Sequence, residues 1–244
     1  MKVSSETYES VGVLDVNADG HPDLVSGAFW YAGPTFIQRH FIAEVNRVQE
    51  YWDDFASIPL DVNGDGRMDV ITGGWFGATL FWLENPGNNG PWQRHVIDST
   101  GNIETARAYD IDGDGLVEII PNTPSHALKY YKLVLDANGK GTAQFTKVEV
   151  ADSQGHGLGF GDINGDKRVD IIVHNGWLEN PKSPSEKWIF HQEFDFADAS
   201  IPIIIEDINK DGLPDLIVGQ GHSYGLDWYA QQLDATGKRS WVAH

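Results

Sequence analysis

The 244-residue chain has no cysteine, so a disulfide framework is excluded while the cellular compartment stays open. No window approaches the roughly 18 uninterrupted apolar residues that a membrane-spanning helix needs. The opening Met1-Lys2-Val3-Ser4-Ser5-Glu6 lacks an apolar core and does not read as a signal peptide. Either an export signal lies outside this chain or the protein stays inside. Basic residues are few, 17 Lys and Arg against 36 Asp and Glu for a formal charge of -19. That balance argues against nucleic acid or an anionic membrane as an electrostatic partner. Sustained apolar spacing of three and four is missing too, which predicts very little helix.

What the chain has is a repeated acidic loop. Asp61-Val62-Asn63-Gly64-Asp65-Gly66-Arg67-Met68-Asp69 places side-chain oxygens at positions one, three, five and nine, Gly at six, and an apolar run directly after. Alternate residues of a tight turn aim carboxylates inward, and position seven can offer its carbonyl, which suits the six to eight oxygens that Ca²⁺ takes at about 2.3–2.6 Å. An EF-hand begins alike but needs a bidentate Glu at position twelve and flanking helices. Here position twelve is Thr72 and the flanks read as strands.

Four further copies hold Asp15, Asn17, Asp19 and Asp23; Asp110, Asp112, Asp114 and Glu118; Asp162, Asn164, Asp166 and Asp170; and Asp207, Asn209, Asp211 and Asp215. The five loops start 46, 49, 52 and 45 residues apart, a period that marks a propeller or solenoid. Simple solvated turns would not require a fourth acidic residue at position nine. Sixteen of the 36 acidic residues lie in these loops, and five bound Ca²⁺ ions would bring the net charge to about -9. The acidity therefore reads as metal sites rather than as an acidic interaction surface.

Each repeat reads as four short strands. In the second, Ala56–Leu60 leads into the loop, Val70–Gly73 leaves it, Thr79–Leu83 follows, and Trp92–Ile97 comes after an Asn85-Pro86-Gly87 turn. Four antiparallel strands per repeat define a propeller blade. The expected fold is all-β: a single β-propeller domain over residues 1–244, with five blades at about 8–50, 51–100, 101–152, 153–197 and 198–244. It forms a complete ring or a piece of a larger propeller.

The loops, each followed by an apolar pair such as Val70-Ile71 or Ile171-Ile172, resemble FG-GAP/VCBS repeats, the calcium-binding propeller units also found in integrin α subunits. The resemblance implies Ca²⁺ as cofactor, up to five ions. Integrin-type domains usually have seven blades, and Lys167 stands where Gly is usual, which carries a cost if φ is positive. The stretches Gly155–Asp166, Asn175–Pro181 and Gly219–Tyr229 are similar to a bacterial subgroup of these propellers and, more distantly, to the propeller of aldos-2-ulose dehydratase, which points towards carbohydrate chemistry.

Repeats supply their own control. His40, His95, His191 and His244 each follow an aromatic by three or four residues on the fourth strand and read as structural. His126, His156, His174 and His222 have no counterparts in most blades. Blade topology sends all four towards the face opposite the acidic loops, with Trp52, Asp53, Trp75, Arg107 and Tyr224. Imidazoles with carboxylates suit Zn²⁺ or another divalent metal; imidazoles with aromatics and an Arg suit a sugar equally well. One reading is a lyase or dehydratase acting on a keto-sugar or polysaccharide by β-elimination, with His156 or His222 as base and a metal or Arg107 polarising the carbonyl. The other is a non-catalytic adhesion or scaffold module that docks a glycan or protein, with calcium purely structural. Loops of this type bind Ca²⁺ with Kd around 10⁻⁴–10⁻³ M, so cytosolic calcium would leave them empty. The expected location is therefore extracellular or periplasmic.

Overall fold

The computed structural model describes Val3 and residues 6–244; the opening stretch tested for a signal peptide lies, apart from Val3 and Glu6, outside them. The described residues form strands and no helix. A first four-stranded sheet contains β1 (Gly12–Leu14), β2 (Asp23–Ser26), β3 (Phe29–Tyr31) and β4 (Arg39–Phe41). A small hairpin, β5 (Arg47–Val48) with β6 (Tyr51–Trp52), precedes the second sheet of β7 (Ile58–Leu60), β8 (Asp69–Gly73), β9 (Leu80–Glu84) and β10 (Gln93–Asp98). The third sheet is β11 (Thr105–Tyr109), β12 (Glu118–Asn122), β13 (Leu128–Leu135) and β14 (Gly141–Ala151). The fourth is β15 (Leu158–Gly161), β16 (Asp170–Val173), β17 (Gly176–Glu179) and β18 (Ile189–His191), and the fifth β19 (Ile204–Glu206), β20 (Asp215–Gly219), β21 (Leu226–Leu233) and β22 (Arg239–Ala243). Strands in each sheet neighbour one another in chain order.

The chain divides into two compact units. One holds Met1–Ala108, Ile119–Pro121 and Tyr130–Val148; the other holds Tyr109–Glu118, Asn122–Lys129 and Glu149–His244.

Register explains why the acidic loop repeats. Its ninth residue pairs with the residue just before its first: Asp23 with Leu14, Asp69 with Leu60, Asp170 with Gly161 and Asp215 with Glu206. The loop is thus the connection of a β-hairpin, and its ninth residue opens the second strand. After that residue the apolar run is buried on both faces. In the first unit Val70 and Leu83 join Val25, Trp30 and Trp92 in one cluster, while Ile71, Leu80 and Trp82 join Ile103, Ile119 and Tyr131 in another. A strand covered on both sides reads as a continuous apolar run rather than an alternating one. Fully buried Ile71, Leu80 and Ile103 each contribute roughly 1.5–3 kcal/mol. In the second unit Ile163, Ile172, Trp177, Ile203, Leu216 and Val218 form the corresponding core.

The repeated histidines are structural. His40 stacks on Trp30 at 4.2 Å, His95 on Trp82 at 4.4 Å, His191 on Trp177 at 4.1 Å and His244 on Trp228 at 4.3 Å. The first three pairs sit directly opposite across the third and fourth strands, where cross-strand aromatic contacts stabilise a sheet most directly. His95 Nε2 also meets Glu84 Oε2 at 2.7 Å, and His191 Nε2 meets Glu179 Oε2 at 2.9 Å.

Successive repeats are latched at one atom, the carbonyl of loop position two. Asn85 Nδ2 donates to Val16 O at 2.9 Å and Ala143 N to Val62 O at 2.8 Å in the first unit. Asn180 Nδ2 donates to Ile111 O at 2.8 Å and Gln231 Nε2 to Ile163 O at 3.3 Å in the second. The side chains at this position, Val16, Val62, Ile111 and Ile163, are themselves buried. Buried Asn85 also donates to Met68 O and accepts from Gly87 N. Asn85→Ala should therefore lower stability by about 1–3 kcal/mol, whereas Asn88→Ala in the neighbouring exposed turn should stay within about 0.5 kcal/mol of wild type; urea denaturation of both variants in calcium checks this.

Candidate functional site

The five loops share one backbone. Position six is left-handed at Gly20, Gly66, Gly115, Lys167 and Gly212, with φ of 85, 88, 88, 70 and 89°. Position four is left-handed as well, at Ala18, Gly64, Gly113, Gly165 and Lys210, with φ of 59, 74, 76, 82 and 62°. Lys167 does adopt the costly conformation expected of it. The requirement at position four went unread because Ala18 and Lys210 mask the glycine pattern there.

These two reversals turn the loop's amides inward onto its first side chain. Asp61 Oδ1 accepts from Gly64 N at 2.9 Å and Asp65 N at 3.1 Å, and its Oδ2 accepts from Gly66 N at 2.9 Å. Asp15, Asp162 and Asp207 repeat this bonding to the amides of positions five and six. Asp110 accepts from Gly113 N and Gly115 N. The third residue is drawn in by the fifth, as when Asn63 Oδ1 accepts from Asp65 N and Asn63 Nδ2 donates to Asp65 Oδ2. Asn17, Asn164 and Asn209 make the same pair of bonds to Asp19, Asp166 and Asp211.

Position nine behaves differently. Asp23, Asp69, Glu118, Asp170 and Asp215 are completely buried, and their carboxylates bind the backbone. Asp69 Oδ2 accepts from Val62 N at 3.0 Å and Oδ1 from Asn85 N at 2.8 Å. Asp23 takes Val16 N and Gly33 N; Asp170 takes Ile163 N and Asn180 N; Asp215 takes Ile208 N and Gln231 N. Glu118 Oε2 accepts from Ile111 N at 2.9 Å. In the first, second and fourth sheets the ninth residue thus pins loop position two to the far turn of its own sheet, and in the fifth to Gln231 within β21.

The loop carboxylates also converge. Burial pushes the Asp69 carboxyl up to about 6, and the charges of Asp65 and Asp61 push it further in the same direction. Asp170 is likewise raised to about 6, by burial first and then by Asp166 and Asp162. In the third loop, oxygens of Asp110, Asp112 and Asp114 come within 4.8 Å of one another. Such crowding fits a hard divalent cation, since a carboxylate oxygen with a single amide bond, such as Asp61 Oδ2, keeps a lone pair and a turned Asn amide presents oxygen in place of nitrogen. In the second and fourth loops an arginine at position seven supplies a positive charge, Arg67 to Asp65 and Arg168 to Asp166.

The unrepeated residues fall in both units. In the first, Trp52 is half-buried in β6 against Tyr8, with the Arg47 guanidinium 5.2 Å from its ring. Asp53 accepts from Phe76 N at 2.9 Å and Gly77 N at 2.7 Å, so it braces the turn that carries half-buried Trp75. Arg107 is exposed on β11. In the second, the rings of His156 and His222 meet edge to face at 4.8 Å. His156 Nδ1 lies 2.6 Å from Ala199 O, which sets this nitrogen as the donor and leaves Nε2 the basic one. Gly221 makes room, because a Cβ there would lie 2.6 Å from His156 Cε1. His174 packs over Gly155 in the same way, where a Cβ would come within 2.2 Å of its ring. His126 sits exposed in a turn with Nδ1 3.0 Å from Pro124 O, and Tyr224 is fully exposed. Of the expected group, the side chains of His156 and His222 are in direct contact.

Residues 61–120, from the second acidic loop into the strand after the third, match the family model of an FG-GAP-like repeat. The match supports, over this segment, the resemblance to FG-GAP repeats that the loop motif carried. No curated protein matches the chain, and nothing found bears on the likeness to aldos-2-ulose dehydratase. Among solved structures the chain is similar to the V. cholerae biofilm matrix protein Bap1, at 19% identity and a TM-score of 0.41, over 79% of this chain and 35% of that one. The chain thus spans about a third of Bap1's length.

A further carboxyl was not singled out from the sequence. Asp54, just before β7, is 4% exposed, and burial pushes it up to about 7, with Glu9 and Asp53 adding to the rise. Its folded pKa lies above its unfolded one, so its stabilising effect is complete at low pH and fades as pH climbs through 7. Asp54→Asn, neutral throughout, should therefore gain about 2 kcal/mol on wild type between pH 5 and pH 8, read from urea denaturation of both proteins at each pH in saturating calcium.

Proposed function

We propose that the chain is a calcium-stabilised repeat module of the β-propeller kind, whose five acidic loops each take one Ca²⁺ and whose opposite face recognises a carbohydrate. The crowding of loop carboxylates carries the calcium part. Burial first, and then the charges of Asp65 and Asp61, raise the cost of ionising Asp69, and a divalent cation offsets both where amide bonds alone do not. Supporting it, an FG-GAP-like repeat spans two of the loops. Four-stranded antiparallel sheets recurring with the loop period are what a propeller blade requires.

Calcium at tenfold excess over Kd contributes roughly 1.4 kcal/mol per loop, or about 7 kcal/mol for five, comparable with the whole stability of a domain. Such loops fill outside the cytosol, so the reading includes export. The melting temperature should fall by more than 10 °C in EGTA and recover on adding excess Ca²⁺, with about five ions bound by calorimetry; an unchanged melting curve would sink the calcium assignment.

A second reading, catalytic rather than purely binding, is favoured by the contact between His156 and His222. Two imidazoles at this separation offer part of a transition-metal ligand set and a base of near-neutral pKa. Such a pair, one imidazole serving as base, would suit β-elimination on a keto-sugar or uronate. Metal analysis of purified protein separates the two. Loss of a bound transition metal with calcium retained in the His156→Ala, His222→Ala double variant supports the enzyme, and absence of any transition metal in wild type supports the calcium-only module.

A further inference from the structure

The first unit contains a cavity of about 350 Å³ that the acidic loops and the histidines leave unused. Its walls are Val25, Ala43, Val45, Val70, Phe81 and Leu83. Two polar groups line it without hydrogen-bond partners, Asp54 Oδ2 and Thr72 Oγ1, on residues 4% and 6% exposed. Burying polar groups unpaired is costly, and a carboxylate is the most costly of them.

Comparing the repeats shows that neither group belongs to the blade. Seven residues before each loop stand Tyr8, Asp54, Ile103, Gly155 and Ser200, so an acid occurs there once. Three residues after position nine stand Ser26, Thr72, Pro121, Val173 and Val218. Ser26 Oγ is satisfied by Ser10 O at 2.8 Å, whereas Thr72 displays its hydroxyl to the cavity. Thr72 also lies on the sheet face that carries Val70 and, on the paired strand, Phe81 and Leu83, where an apolar side chain would fill the space.

The charges around the cavity select the ligand. Glu44, Asp53 and Asp54 line it against one cation, Arg94, which is exposed and lies 3.8 Å over the Phe81 ring. Asp53 spends its oxygens on the amides of Phe76 and Gly77, and Asp54 Oδ1 on Glu9 N at 3.2 Å, with the Gly27 amide of the cavity wall giving its carboxylate some further support. Ser57 and Thr79, which also line the cavity, spend their hydroxyls on Ser10 and Gly77 O, and Glu44 and Asn46 are exposed, so the buried groups that remain are one carboxylate oxygen and one hydroxyl among apolar walls. We propose that this cavity binds a small organic ammonium ion, its charged nitrogen donating to Asp54 Oδ2 and Thr72 Oγ1 and its apolar body lying against Val70, Phe81 and Leu83. The upward displacement of the Asp54 carboxyl is the cost that such a cation would remove. In size the cavity is about twice one that takes a single benzene ring, so an aryl-alkyl amine of roughly ten heavy atoms fits.

The test is titration of calcium-loaded protein at pH 8 and about 0.15 M salt with three matched probes: 2-phenylethylammonium, 2-phenylethanol and 3-phenylpropionate. Binding is followed by amide chemical shifts. The amine should bind saturably, at least tenfold tighter than the alcohol, with shifts centred on residues 54, 72 and 81, and the carboxylate should not bind. Asp54→Asn should abolish the preference for amine over alcohol, and the near-isosteric Thr72→Val should weaken amine binding several-fold. Equal affinity for amine and alcohol, no saturable binding by wild type, or a preference that survives in folded Asp54→Asn overturns the assignment. The wild-type series and Thr72→Val decide the matter even if Asp54→Asn does not fold.

Discussion

A carboxylate with no access to water, held at the ninth position of every acidic loop, is the constraint from which the rest of this chain follows. Its oxygens accept the amide of loop position two and, in three sheets, the amide that opens the far turn, or in the fifth the Gln231 amide within β21. Fixing position two fixes its carbonyl, and that carbonyl receives the donor from the following repeat. One buried acid therefore organises its own hairpin, its own outer turn and the junction to the next sheet. Hydrogen bonds to a charged acceptor are about twice as strong as neutral ones, which suits a residue with so many dependants.

The rest of the loop has the geometry that the proposed calcium site would require. Positions one, three and five are oriented by amides of the loop itself, and the left-handed residues at four and six aim those amides inward. A ligand set held by backbone geometry loses little entropy when an ion arrives. The opposing cost is burial first and repulsion from neighbouring acids second, which together raise the carboxyls of Asp69 and Asp170. Arg67 and Arg168 supply part of the compensating charge to their own loops. The repeats thus share a backbone but differ in electrostatics, so their cation affinities need not be equal.

Much of this was legible in the sequence because repetition amplifies weak signals. Five copies of the loop gave the period, the four-strand plan and the absence of helix, and strand positions held to within a few residues, as with Val70–Gly73 against the observed Asp69–Gly73. The fourth-strand histidines were separated from the unrepeated ones by the same logic, and their stacking on Trp30, Trp82, Trp177 and Trp228 gives the reason. Less legible was anything set by partners far apart in sequence. That position nine serves the backbone follows from an amide in another turn, such as Asn85 N, sixteen residues on. Asn85 looked like a turn former, and its reach of 69 residues back to the preceding loop, which Asn180 repeats, has no local signature. Asp53 looked like a ligand contact and is occupied in bracing the turn from Phe76 to Gly77.

Departures from the repeat therefore deserve different weights according to what surrounds them. Lys167 departs at a left-handed position and costs backbone strain, yet it still donates its amide to Asp162 Oδ2 at 2.7 Å, so the loop tolerates it without changing plan. His156 departs together with Gly221, which leaves space for its ring, and with His222, which touches it. Coordinated departures of that kind are hard to explain as drift, because each residue would be unfavourable or purposeless without the other. Asp54 and Thr72 are a second coordinated pair, two polar groups placed where neighbouring repeats bury apolar or satisfied ones. A fold assembled from identical units has no structural use for them, and their unmet bonding capacity is stability forgone. Function is the economical explanation for a cost that the other four repeats avoid at these two positions.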